Sequence, residues 1–290
     1  MTGFLPHEIG LLSALQKEID KGYKLRIDVG LSYGMPYTLR WVNNDKNVVV
    51  MGFEPHKENY RQCEKILAEI DPEIKNRIFL FNLALTDRND FEDLEFWATK
   101  SSREGVDTGR SSLLKPQEDF QGWIKERYLV RTAPIFKLLE TLSFEQIEFV
   151  KVDTQGFDLR VLKGFRENLM KILLIMVEAD SSKYYQEANS NYDLEYHLNS
   201  LSFRKIAELT SKNQESKGPS DLLFINSKIT FYRNIPWPIG YHLKHNFFNV
   251  FLIAMKKPIE FTFALLVEVR MKLGSTKWKF KNAWRKVRFR

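Results

Sequence analysis

The apolar residues fall into two rhythms along the chain, short near-continuous runs and stretches spaced three and four apart, and the two alternate. Ile9, Leu12, Leu15 and Ile19 share a helical spacing, and Lys21-Gly22 closes that segment. Leu25, Ile27 and Val29 then make a compact run that suits a buried strand, with Asp28 near its carboxyl end. Gly30 and Gly34 bracket a tight turn, after which the stretch over 33–42 starts a helix. Residues 47–53 are nearly all apolar, the mark of a strand covered on both faces. A helix over 57–70, with Tyr60, Cys63, Leu67 and Ile70 on one face, precedes a third strand over 77–85. Residues 94–98 read as an extra strand and 99–122 as a long polar loop, of the length that compact domains keep for functional or mobile segments. A short helix over 135–142 follows Pro134. The fourth strand, 147–153, turns through Thr154-Gln155-Gly156 into a helix over 158–165. A fifth strand over 173–177 ends at Glu178. A helix over 192–201 and two strands over 203–209 and 221–225 finish the pattern. Strands alternating with helices, closed by a late strand pair, predict one doubly wound, Rossmann-like α/β sheet.

Composition changes this picture at one end only. The chain has 290 residues, 43% of them hydrophobic, enough for one large α/β domain with an appendage. The net charge of +7 hides an asymmetry. Residues 229–290 carry 13 Lys and Arg against 2 Asp and Glu, a balance of +11; the chain's other 31 basic and 35 acidic residues balance at −4. The division predicts a domain over 1–228 and a separate basic extension over 229–290. A single cysteine, Cys63, excludes an internal disulfide framework and a cysteine-based zinc site, and fits a reducing, cytoplasmic compartment. No basic run precedes the apolar residues of 1–15, so a signal peptide is not expected.

Candidate chemistry gathers at the carboxyl ends of the strands. A strand feeding a glycine turn feeding a helix is where open α/β sheets hold nucleotide-like ligands. Glu54, made extended by Pro55, stands at the edge of the second strand, where a carboxylate accepts hydrogen bonds from a ribose diol. Cys63 reads as a small core residue rather than a nucleophile. His56 reads as a surface residue beside Pro55. No pairing of two histidines with an acid suggests a metal. Asp153 ends the fourth strand with Lys151 two residues back on the same face. Asp153 has three readings: general base, cap of the helix over 158–165, or orienter of a cofactor.

These residues fall into a known order. Asp28-Val29-Gly30 with Gly34, Phe53-Glu54-Pro55 with Asn59, and Asn82-Leu83-Ala84-Leu85-Thr86-Asp87 come first. Ser111-Ser112-Leu113, Lys151-Val152-Asp153-Thr154-Gln155-Gly156 with Leu162-Lys163-Gly164, Glu178, and Asp221-Leu222-Leu223-Phe224 follow. The series, over about residues 24–226, resembles the FkbM family of S-adenosylmethionine-dependent methyltransferases. The resemblance implies a seven-stranded methyltransferase sheet with S-adenosyl-L-methionine as cofactor. Asp28, Gly30 and Gly34 would lie at its methionine end, Glu54 at its ribose, Asn82 and Ala84 at its adenine, and Ser112 over it. Asp153 and Lys151 would stand at the methyl group, and Glu178 near the acceptor. It also implies O-methylation of a sugar, glycan precursor or other small metabolite. Two positions depart from the family pattern: Gln155 and Phe136 stand where acids are usual. Gln155 keeps a second reading open, a methyltransferase fold that binds without turning over.

The extension lies outside the resemblance. Its apolar part over 247–269 is broken by Lys256-Lys257-Pro258 and Glu260, which argues against a spanning helix. Residues 277–290 interleave Trp278, Phe280, Trp284, Val287 and Phe289 with seven basic residues. Such a segment suits an anionic membrane surface. Nucleic acid, held by phosphate contacts and stacking, is the competing partner and would make a nucleic-acid methyltransferase the alternative. Packing on the acidic body or a second subunit is the third reading.

Overall fold

The computed structural model describes residues 3–99, 109–179, 184–209 and 220–229. Helix α1 (Pro6–Asp20) opens the chain, its first turn closed by Glu8, whose carboxylate accepts from the Leu5 N–H at 2.8 Å. Leu12 and Leu15 are buried as expected, but Ile9 faces solvent. Strand β1 (Lys24–Val29) leads through the glycine turn to α2 (Pro36–Asn44). That helix starts three residues later than the spacing suggested, because proline is preorganised for the first helical position. Then come β2 (Val48–Phe53), α3 (Lys57–Glu69), a short α4 (Pro72–Lys75) and β3 (Ile78–Phe81).

Here the structure corrects the sequence pattern. The run over 77–85 is two strands: β3 ends at Phe81, and β4 (Ala84–Thr86) belongs to another sheet. At the break the Asn82 side-chain amide donates to the Glu54 carbonyl at 2.7 Å, tying the joint to the end of β2. β5 (Glu92–Thr99) extends the expected strand over 94–98, and β6 (Ile124–Pro134) was not anticipated. β6 pairs antiparallel with β5 and parallel with β4, in the order β4-β6-β5.

The remaining elements are α5 (Ile135–Leu139), β7 (Ile147–Val152), α6 (Asp158–Gly164), β8 (Ile172–Ala179), α7 (Asn191–Ser200), β9 (Phe203–Leu209) and β10 (Ser220–Asn226). The main sheet runs β3-β2-β1-β7-β8-β10-β9. Its first five strands are parallel; β10 runs antiparallel to both β8 and β9. Every residue of β2 and β7 is buried, as a parallel sheet with both faces covered requires. At its amino end the fully buried Arg26 joins Glu148 of β7 at 2.6 Å and Asp45 at 2.8 Å.

The segment expected as a free polar loop is held down along its described part, 109–122. Ser112 exchanges backbone hydrogen bonds with Trp97 of β5, and Leu114 is buried in the main core. Gln117 N–H donates to the Tyr184 carbonyl at 2.9 Å and Gln186 N–H to the Lys115 carbonyl at 2.8 Å. This strap therefore spans from the small sheet to the chain beyond β8. Apart from Ile229, the basic extension over 229–290 lies outside the described residues. Among those residues no helix is long and apolar enough to cross a membrane.

Candidate active site

The strand order reverses between β1 and β7, where neighbouring strands send their connections to opposite faces and leave a crevice at their carboxyl ends. A pocket of about 610 Å³, its open mouth included, lies there. One wall is the main sheet's end: Val29, Gly30, Phe53, Glu54 and Asp153. The other is the small sheet and strap, with Ala84, Phe96, Ser112 and Leu113.

Gly30 explains how close the walls come. It has φ +81°, and a Cβ there would lie 2.0 Å from the Asp153 carbonyl oxygen. Only a residue without a side chain lets β1 and β7 close at this point, where Asp153 N–H donates to the Val29 carbonyl at 3.0 Å. Glu54 is buried at the end of β2; one carboxylate oxygen accepts from Ser32 N–H at 2.7 Å and the other from His56 N–H at 2.9 Å. A carboxylate has about four accepting positions, so this anchoring still allows a diol to share it.

The acidic side is built around Lys151. Its ammonium donates to the Gly30 carbonyl at 2.7 Å and stands 3.3 Å from Asp153 and 3.6 Å from Asp28. Burial works against its charge, but Asp153 and Asp28 outweigh that and raise its pKa. Lys151 is a fixed cation and not a proton acceptor. Asp28, also buried, accepts from the Thr38 hydroxyl at 2.7 Å; burial raises its pKa while Lys151 pulls it down. Burial, followed by the charges of Asp153, Asp158 and Asp221, pushes Glu178 well above the usual carboxylate range. Burial and then Asp153 push Asp221 up to about 6, and burial and then the charge of Asp221 push Tyr37 to about 12.

Of the residues singled out from the sequence, Gly30, Glu54, Ala84, Ser112 and Asp153 line the pocket. Asp28, Gly34, Asn82 and Lys151 are not among the lining residues; Asn82 holds the Glu54 backbone, Lys151 holds Gly30 and Asp153, and Asp28 stands against Lys151. The cap reading of Asp153 is not met: α6 is preceded by Phe157 with no side-chain cap, and the Asp158 carboxylate braces the turn before the helix, accepting from Thr154 N–H at 2.7 Å and Gly156 N–H at 3.0 Å. His56 is not on the surface. It is 1% exposed, and its Nδ1 caps α3 by accepting from Glu58 and Asn59 N–H. Cys63 is in the core, where burial and then the Glu54 charge raise its thiol to about 12. Phe136 is buried, with the Arg166 guanidinium over its ring. Sequence reasoning missed Thr38, Tyr37 and Asp158 as parts of the site. Only Asp158 had a local signal, an acid in the first turn of a helix just after a glycine.

The pocket fits S-adenosylmethionine. Phe53, Pro55, Leu83 and Phe96 form an apolar stretch of lining that would suit a purine, Glu54 would suit a ribose, and the Asp153 side of the pocket would suit a sulfonium cation. The sheet order and this pocket define a Rossmann-like nucleotide-type binding fold. The chain belongs to the FkbM methyltransferase family: the family described as Methyltransferase FkbM domain matches residues 28–205. It is a methyltransferase, and S-adenosyl-L-methionine is its cofactor. No curated protein matches the chain. Among solved structures, M. capricolum TrmK in complex with S-adenosylhomocysteine is similar at 11% identity, with 91% of this chain and 93% of that one covered and a TM-score of 0.41. Streptococcus pneumoniae Sp1610, a putative tRNA (m1A22) methyltransferase, is similar at 10% identity, over 97% and 94% of the two chains, with a TM-score of 0.40. Magnesium protoporphyrin IX methyltransferase from Synechocystis PCC 6803 with bound S-adenosylmethionine follows at 10%, over 76% and 80%, with a TM-score of 0.39. Likenesses this loose leave the acceptor to be argued from this chain's own residues.

Proposed function

We propose that the protein O-methylates a hydroxyl of a saccharide or similar small acceptor, with Asp153 as general base. One observation carries this reading. Asp153 ends β7 on the pocket wall with its side chain 30% exposed, while Lys151 and Asp28 beside it are sealed off at 5% and 1%. Of the carboxylates around Lys151, it is the one that lines the pocket. S-adenosylmethionine, when bound, supplies an electrophilic methyl group on a sulfonium, and S-adenosylhomocysteine leaves as the carbon–sulfur bond breaks. Asp153 accepts the proton of the acceptor hydroxyl as its oxygen forms the new bond to carbon. Lys151 holds the carboxylate in place, and Glu54 holds the ribose. The strap, through Ser111 and Ser112, narrows the pocket on the opposite side and limits access of water.

Calorimetry with S-adenosylmethionine and S-adenosylhomocysteine, followed by assay of S-adenosylhomocysteine release against a panel of saccharides and RNAs, tests this. D153N is expected to bind the cofactor with affinity within roughly threefold of wild type and to lose about 10²- to 10⁴-fold in transfer, the usual weight of a general base. Undiminished transfer by D153N overturns the role of Asp153. Release with RNA alone overturns the saccharide acceptor, and binding of the cofactor without release against any acceptor favours a binding protein that keeps the fold.

A further inference from the structure

Gln155 occupies the turn between β7 and α6 with φ +55°. That left-handed conformation suits glycine and costs any residue with a Cβ, so a glutamine there needs a reason in its side chain. Its Nε2 donates to Asp153 Oδ1 at 3.0 Å and to Glu178 Oε2 at 2.5 Å. An amide nitrogen carries two hydrogens, and here both go to carboxylates from two different strands. The backbone is held as well: the Gln155 carbonyl accepts from the Ser112 hydroxyl at 2.9 Å, which ties the turn to the strap. An ionised glutamate at this position would bring no donor to either carboxyl group and would set a negative charge against Asp153.

We propose that Gln155 is a positioning residue for methyl transfer: its amide clamps Asp153 to Glu178 and fixes the rotamer in which Asp153 meets the acceptor hydroxyl. With Gln155 on Oδ1 and Lys151 at 3.3 Å from Oδ2, each oxygen of Asp153 has its own partner. The clamp gives the departure from the family's usual acid a function. The proposal rests on the reading of Asp153 as general base.

Q155G is the decisive variant, because glycine accepts the turn's backbone and removes only the amide. Three-bond couplings across χ1 of Asp153, assigned with the help of D153N, report the rotamer without any acceptor present. They are expected to show a single rotamer in the wild type and averaging in Q155G. With an acceptor, kcat should fall by about 10- to 100-fold while KM for S-adenosylmethionine stays within roughly threefold, the pattern of a misplaced catalytic group. A single unchanged rotamer in Q155G, or an unchanged kcat, overturns the proposal. Failure of the underlying reading looks different: Asp153 couplings still respond to Q155G, but D153N transfers methyl groups normally.

Discussion

At the scale of single residues, the site depends on a few positions where no other side chain fits. Gly30 is the clearest, with φ +81° and the Asp153 carbonyl where a Cβ would be. Replacing it with alanine should destabilise the protein by upwards of about 3 kcal/mol in urea unfolding, since the β1–β7 contact must open and the backbone is strained as well. Calorimetry on whatever folded G30A remains should show loss of S-adenosylmethionine binding. Gly30 was legible from the sequence because a glycine after an apolar strand is a local signal. Its reason was not, because the clash is with a residue more than a hundred positions away. The same holds for Gln155. A polar residue in a turn is ordinary, and only the arrival of Glu178 from β8 shows what its amide does. His56 misled in the opposite direction: its proline neighbour suggested an exposed turn, but its ring is used to cap α3 and packs edge-on to Phe96 and Tyr128.

At the scale of elements, the alternation of strands and helices followed from continuous apolar runs at regular intervals, and the seven-stranded sheet from the family resemblance. What escaped was the small sheet. β6 alternates half-buried Ile124, Glu126 and Tyr128 with exposed Lys125, Arg127 and Leu129, so its period is that of a strand but its polarity that of a loop. Lys and Arg on the open face, and a glutamate on the other, removed the contrast by which a strand is recognised. The strap escaped because, beside the buried Leu114, its anchors are hydrogen bonds, which leave no period in the sequence. Ser112 is its pin: the hydroxyl accepts from Leu114 N–H at 3.0 Å and donates to the Gln155 carbonyl. S112A leaves both partners short of a bond in a buried place and should cost about 1 to 3 kcal/mol. Limited proteolysis should then cut the 109–122 segment faster than in the wild type.

At the scale of the whole molecule, the charges gathered around the site set a dependence of stability on pH. Burial raises Asp158 to about 6, against the hydrogen bonds from Thr154, and Asp221 to about 6 as well. The folded protein keeps protons on these groups up to about pH 6, whereas the unfolded chain releases them near pH 4. Stability from these groups therefore falls as pH rises from about 4 to 6 and levels off above. Glu178, raised by burial in the same direction, adds to the decline. Urea unfolding at pH 5.5 should give a higher stability than at pH 7.5, by on the order of 1 to 3 kcal/mol. D158N and D221N should each flatten that slope.

The break at Asn82 and Leu83 carries one more consequence. Before it the chain builds the sheet that ends under the ligand, and after it the chain builds the cover. Two residues thus form the whole joint between floor and roof on that side of the pocket, pinned by one side-chain amide to the end of β2. Lengthening that joint by a residue would raise the cover against its ties to the floor, the Asn82 amide on the Glu54 carbonyl and the Ser112 hydroxyl on the Gln155 carbonyl. The clearance over the pocket and the placing of the carboxylates beneath it are thereby coupled through one short stretch of chain.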